Sequence, residues 1–252
     1  MGVGARDAVG GGVGGAAAAP DATSNNHLTP LAKALAFTHG LLCEARKLTH
    51  VACFRRDPLV PELLGIPRVA RASVLSRFFG GFASPGQNLA CFRPLWRWGL
   101  ERLPSRQGGY TLDLDSTRLL HEDGHQDGVR AGYTRPGVKP CLHPLLAIVS
   151  EVRLVAQLWL RSGNATCGHN TTACFLDRWD HLPRHVRLRG VRADSGFCLP
   201  ELLALWEQLH VPCVVVAQLS EPIKNLLRGG LVWTPTELRG TDVAEMDYQT
   251  AG

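Results

Sequence analysis

The spacing of apolar residues changes character once along the chain, at Tyr110, and that change restricts the fold more than any other feature. Before it, Leu31, Leu35, Leu41 and Leu42 recur at roughly helical intervals, as do Leu63 and Leu64, then Val74 and Leu75 with Phe78 and Phe79. Asp57-Pro58, Gly65-Ile66-Pro67 and Gly80-Gly81 divide this part into short helices, with residues 73–79 and 88–100 the best defined. After it, residues 110–117 alternate, and two apolar runs, 142–149 and 152–160, flank Ser150-Glu151 as an antiparallel hairpin would. A helix is predicted over 171–182 with Asn170 as its cap, a strand over 186–193, a helix over 200–209 and a short buried strand over 211–216. Strands first, then alternating helices and strands, predict an α/β domain with a mixed sheet, preceded by a small all-α region.

Composition adds boundaries. A mean hydropathy of −0.02 and 6 Trp in 252 residues exclude a wholly disordered chain. No stretch reaches the roughly 18 apolar residues of a membrane span, so no membrane partner is expected. Residues 1–27 are Gly/Ala-rich and are read as a tail without a core. Residues 28–109 hold 12 bases against 4 acids, whereas 110–252 hold 14 against 16. The positive field is therefore concentrated in the helical part, as a polyanion-binding region requires, although solvated arginines on helix faces would give the same count. Several short Arg-bearing helices suit a helix-turn-helix-like DNA reader, and nothing marks one of them as the recognition helix.

Eight cysteines occur without a C-x-x-C pair, in a chain too long for a disulfide-stapled miniprotein and without the basic-then-apolar order of a signal peptide. They read as mostly buried free thiols of a cytoplasmic protein, and the missing pair spacing disfavours structural zinc.

Two aspartates fall where predicted strands end. Asp115 closes Leu112-Asp113-Leu114-Asp115, and Asp194 follows Val191-Arg192-Ala193, 79 residues later. Neighbouring strands would bring both to one sheet edge, where two carboxylates repel unless a cation lies between them. A hard divalent ion such as Mg²⁺ needs only one or two protein carboxylates. Each residue has a plainer role open to it: Asp194 or Ser195 as the cap of the next helix, Asp115 as a turn residue. Alternation does not separate Asp115 from Asp113, because residues two apart share a face.

Several motifs occur in order: Leu112 to Thr117, Gly124-His125-Gln126, Gly132-Tyr133, His143-Pro144-Leu145-Leu146-Ala147, Arg161-Ser162-Gly163-Asn164 and Val191-Arg192-Ala193-Asp194-Ser195-Gly196-Phe197. In these the chain resembles the DDE transposases of bacterial insertion sequences, in the branch with a β-strand insertion before the third carboxylate. The run from Gly65 through Phe78 looks like the family's N-terminal helical region. The resemblance implies a ribonuclease-H-like core over 110–217, a basic DNA-binding region over 28–109 and the start of a β-rich insertion over 218–252. It implies Asp115 and Asp194 as the first two catalytic carboxylates, with Mg²⁺ (or Mn²⁺) as cofactor. It further implies double-stranded DNA as partner, held by a homodimer, with cleavage and strand transfer at transposon ends as the reaction. Arg68, Arg71 and Arg77 are candidate DNA contacts in the helical region. Arg130, Arg135 and Lys139, in a predicted loop around Tyr133, are candidates near the site.

The family's third carboxylate follows a Tyr-x-x-Arg pattern, and none of Glu201, Glu207, Glu221, Glu237, Asp242, Glu245 and Asp247 does so. Residues 231–248 read as short strands and turns. The expectation is a truncated transposase with weak or no activity by itself, and the alternative is a non-catalytic DNA-binding remnant. His121, Glu122 and His125 also match the zinc-protease pattern H-E-x-x-H. Here the match lies among Asp-Gly loop signals, which give no helical i, i+4 geometry. The G-x-S-x-G elbow of serine hydrolases and a phosphate-binding GxxxxGK[ST] loop do not occur.

Overall fold

The computed structural model describes residues 27–121 and 126–246, in two compact units that divide between Trp98 and Gly99. In the first unit α1 (Pro30–Leu42) starts where Thr29 accepts a hydrogen bond from the Ala32 amide and Pro30 occupies the first turn. It packs with α2 (Leu48–Cys53) and α4 (Ala72–Gly80), while α3 (Leu59–Leu64) ends at Gly65 in the left-handed conformation. Ala32, Ala36, Val51, Val60, Val69 and Leu75 form the shared core. Lys33 is buried with its ammonium 5.2 Å from the centre of the Phe78 ring, which offsets part of the cost of taking that charge out of water.

The second unit is built on a five-stranded sheet. Its strands are β1 (Tyr110–Ser116), β5 (Leu145–Val149), β6 (Leu154–Trp159), β7 (Leu188–Ala193) and β8 (Cys213–Val215). The spatial order is β6-β5-β1-β7-β8, with β1-β5 and β5-β6 antiparallel and β1-β7 and β7-β8 parallel. This is the ribonuclease-H-like arrangement. Alternation explains the layer beneath it: Tyr110, Leu112 and Leu114 point to one side, where Phe175 and Cys174 of α6 (Thr171–Asp180) and Leu202 and Trp206 of α7 (Pro200–Gln208) bury them. Leu100, from the end of α5 (Pro85–Glu101), joins the same core. The Tyr110 hydroxyl donates to the Pro104 carbonyl at 2.8 Å, so its burial leaves no unpaired donor. Among the described residues the other face of the sheet stays open, with Val155, Leu158 and Val214 at 39%, 41% and 70% exposure.

Several sequence expectations need correction. The strand over 211–216 is not buried: β8 is an edge strand with Cys213 and Val214 exposed. Asn170 precedes α6, but it adopts φ 59° and its side chain makes no capping bond. The tract around Tyr133 is not a loop. It forms a second sheet, β2-β4-β3, from β2 (Leu119–Leu120), β3 (Arg130–Thr134) and β4 (Gly137–Leu142), so Leu142 belongs to β4 and not to β5. After β8 the chain forms an eight-residue helix, α8 (Glu221–Arg228), before the small hairpin of β9 (Thr234–Pro235) and β10 (Asp242–Val243). All eight thiols are free, yet only Cys141 and Cys174 are buried; Cys43, Cys53 and Cys213 are exposed. Burial pushes the Cys174 thiol up to about 12, which keeps it protonated and inert. Among the described residues no helix is long and apolar enough to cross a membrane.

Candidate functional site

The parallel pairing of β1 with β7 places the two aspartates. Leu112 stands opposite Val191, Asp113 opposite Arg192 and Leu114 opposite Ala193. One residue further, Asp115 and Asp194 occupy equivalent positions on adjacent strands, whose axes lie roughly 4.8 Å apart. Leu114 and Ala193 face the core, so alternation turns both aspartates to the open face. Asp194 is extended, with φ −78° and ψ −179°, which continues the strand direction to this point.

Each carboxylate is held by one oxygen. Asp115 Oδ1 accepts from the Ser116 amide at 2.7 Å, and Asp194 Oδ1 accepts from the Gly196 amide at 2.9 Å. Asp194 therefore does act as a cap, of the 3-10 turn Ser195–Phe197 and not of α7. Among the described residues neither aspartate makes a salt bridge. Asp113 differs completely. Arg192 grips it with two bonds, Nε to Oδ1 at 2.7 Å and Nη2 to Oδ2 at 2.8 Å, and also donates to Ser150 at 2.7 Å. The Arg192 hydrogen bond holds the Asp113 carboxyl below the usual carboxylate range. Three acids thus line one face, and only the two at the strand ends keep oxygen atoms available.

Beneath this edge lies a polar network to which sequence reasoning assigned no role. His143, buried between β4 and β5, directs Nδ1 to the Ala165 carbonyl at 2.7 Å and Nε2 to the Ser116 hydroxyl at 3.0 Å. A carbonyl only accepts, so Nδ1 carries the proton and Nε2 accepts from Ser116. Burial, with Arg118 and Arg161 nearby, lowers the His143 pKa and keeps the ring neutral. Cys167 Sγ is 3.4 Å from the same hydroxyl. Arg161 ties the surrounding loop: Nε donates to the His143 carbonyl, and Nη1 reaches the carbonyls of Thr166, Cys167 and His169. His143-Pro144 and Arg161-Ser162 are visible as sequence motifs, but only folding shows that both serve the residue next to Asp115.

The donor set suits a hard divalent cation. Two carboxylates turned the same way on adjacent strands, without a basic partner among the described residues, offer oxygen ligands. Asp115 and Asp194 are the residues that could hold such an ion. Among the described residues no group of three or more His, Cys, Asp and Glu side chains comes together, so no third acid joins them. Of the H-E-x-x-H match, His121 follows β2, while Glu122 and His125 lie outside the described residues. Arg68, Arg71 and Arg77 are exposed in the first unit, the last on α4. Arg130 and Lys139 lie on β3 and β4, and Arg135 lies in the turn between them.

No family model matches the sequence, and no curated protein matches it. Among solved structures, the chain is similar to a piggyBac transposase in a synaptic complex with hairpin DNA, at 16% identity over 81% of this chain and 47% of that one, with a TM-score of 0.37. It is also similar to the Drosophila P element transposase in a strand transfer complex, at 10% identity over 82% of this chain and 50% of that one, with a TM-score of 0.26. The chain spans about half the length of each.

Proposed function

We propose that this chain is a DDE-type transposase of the bacterial insertion-sequence kind, which binds transposon ends and acts on DNA through Asp115 and Asp194. One observation carries the reading: on a ribonuclease-H-like sheet the two aspartates end adjacent parallel strands, face the same side and lack a basic partner among the described residues, while Asp113 beside them is neutralised by Arg192. A bound Mg²⁺ or Mn²⁺ would supply activation of a water or a DNA 3′-hydroxyl and stabilisation of the leaving oxygen. The protein's own part is placement. The Ser116 and Gly196 amides fix one oxygen of each carboxylate. Arg68, Arg71 and Arg77 bind duplex phosphates, Arg130, Arg135 and Lys139 bind phosphates along the second sheet, and a homodimer holds two ends together.

The test is Mn²⁺ titration into the full chain, followed by water-proton relaxation. The expected result is a site that Mg²⁺ displaces and that Asp115→Asn and Asp194→Asn each remove, with Asp113→Asn leaving it in place. Equal Mn²⁺ binding by wild type and both site variants would refute the proposal. A second reading, a DNA-binding protein without catalysis, is favoured by the lack of a third acid among the described residues. Metal-dependent nicking of DNA by the wild-type chain, absent in Asp115→Asn, decides for the enzyme.

A further inference from the structure

The β2-β4-β3 sheet grows out of the edge that carries Asp115. It leaves after Ser116 and returns at Leu145, and these two residues are paired across β1 and β5, so both of its connections are rooted at the end of β1. Its inner side is packed: Gly132, Thr134 and Cys141 are buried, and Gly163 meets it so closely that a Cβ on Gly132 would lie 2.1 Å from the Gly163 carbonyl oxygen. Register and alternation place Tyr133 with Val138, Ala131 with Pro140, and Leu119 with Leu142 on the outer side. Tyr133 is 75% exposed and Val138 67% exposed, so among the described residues nothing covers this strip. A continuous apolar strip headed by an aromatic ring is costly to leave in water and calls for an occupant.

Charge identifies the occupant. Residues 130–142 carry Arg130, Arg135 and Lys139 and no acid; register turns Arg130 and Lys139 to the inner side, and Arg135 stands in the turn beside Tyr133 and Val138. An acidic peptide and a nucleic acid both answer to that sign, but β2 and β4 continue the strand pair that carries Asp115, which favours the polyanion proposed for that site. A flat aromatic surface adds a further condition. Base faces are hidden inside a duplex, so a ring of this kind engages a base only where a strand has lost its partner. We propose that the outer face of the β2-β4-β3 sheet is a stacking platform for unpaired bases at a DNA strand end. Tyr133 covers a base, Val138 and Pro140 extend the apolar floor, and Arg135, in the turn between β3 and β4, holds a flanking phosphate. The inference rests on the DNA reading above and extends it to the form of DNA held.

The experiment compares the full chain, by fluorescence anisotropy, on a labelled blunt duplex and on the same duplex with a single-stranded extension. The wild type is expected to prefer the extended duplex by on the order of tenfold, as one stacked base supplies. Tyr133→Ala should abolish the preference while leaving affinity for the blunt duplex unchanged, and Tyr133→Phe should retain it. The ring is exposed, so both variants should fold, and melting curves that match the wild type check this. Equal affinity of the wild type for the two DNAs overturns the stacking platform and leaves the DNA reading standing. Binding to neither DNA overturns both. If Tyr133→Ala keeps the preference but turns a dimer into a monomer in sedimentation, the face belongs to a second copy of the chain and the proposal is wrong.

Discussion

Asp113 and Asp115 show what one residue's surroundings decide. They share a strand and a face, so alternation offers no ground for choosing between them; Arg192, opposite Asp113 in the register, supplies it. Asp113→Asn should lower the melting temperature, because it breaks a two-bond ion pair. Asp115→Asn should not, because it breaks no ion pair among the described residues and an asparagine oxygen can still accept from the Ser116 amide. The Asp113 pKa is lowered in the folded chain, so its contribution is present above the ordinary carboxylate pKa of about 4 and is lost as pH falls through the lowered value. The gap between wild type and Asp113→Asn in thermal melts should therefore close in acid. His143 makes a second case. Its folded pKa is lowered, so the unfolded chain takes up the proton first, and stability should drop as pH falls below about 6.5. His143→Gln should cost about 1–3 kcal/mol near neutral pH, since it leaves the Ala165 carbonyl or Ser116 without its partner. It should also flatten that pH dependence, as urea unfolding at several pH values would show.

At the level of elements, the central strands were legible because their alternation is regular: Tyr110, Leu112 and Leu114 are buried, and the partners across β5 follow the same rhythm. The second sheet was hidden for physical reasons. β2 has only two residues, and Gly132, Gly137 and Pro140 interrupt the other two strands, so no run of β-formers signals them. Its stability comes from close backbone approach and not from propensity. Gly163 donates its amide to the Gly128 carbonyl and accepts at its own carbonyl from Arg118 Nη1. A Cβ there would lie 2.1 Å from the Cys141 carbonyl oxygen and 2.3 Å from that of Arg130, both backbone atoms that cannot step aside. Gly163→Ala should thus destabilise by about 1–3 kcal/mol or more. Hydrogen exchange should show the added opening first in the amides of β3 and β4, before those of β1 and β7. Gly163-Asn164 forms a turn, but the packing that demands glycine joins segments more than twenty residues apart and has no local signature.

Over the whole molecule, the uneven distribution of charge sets how DNA would be held, and it was fully readable from the residue counts. On the proposed reading, a region with 12 bases and 4 acids would bind through phosphates and release counterions, so its affinity should fall steeply with salt. The stacking face works through an uncharged ring and contributes no such dependence. The two contributions can therefore be separated in one experiment, the slope of log affinity against log salt for a duplex with a single-stranded extension. Replacing Arg68, Arg71 and Arg77 together by Gln should reduce the magnitude of that slope by about 0.9 for every duplex phosphate that is no longer neutralised, and weaken blunt and extended DNA equally. Tyr133→Ala should leave the slope unaltered and lower only the affinity for the extended form. A variant of the three arginines with an unchanged slope would mean that the charge of residues 28–109 is a solvated helix surface and that the DNA is held elsewhere.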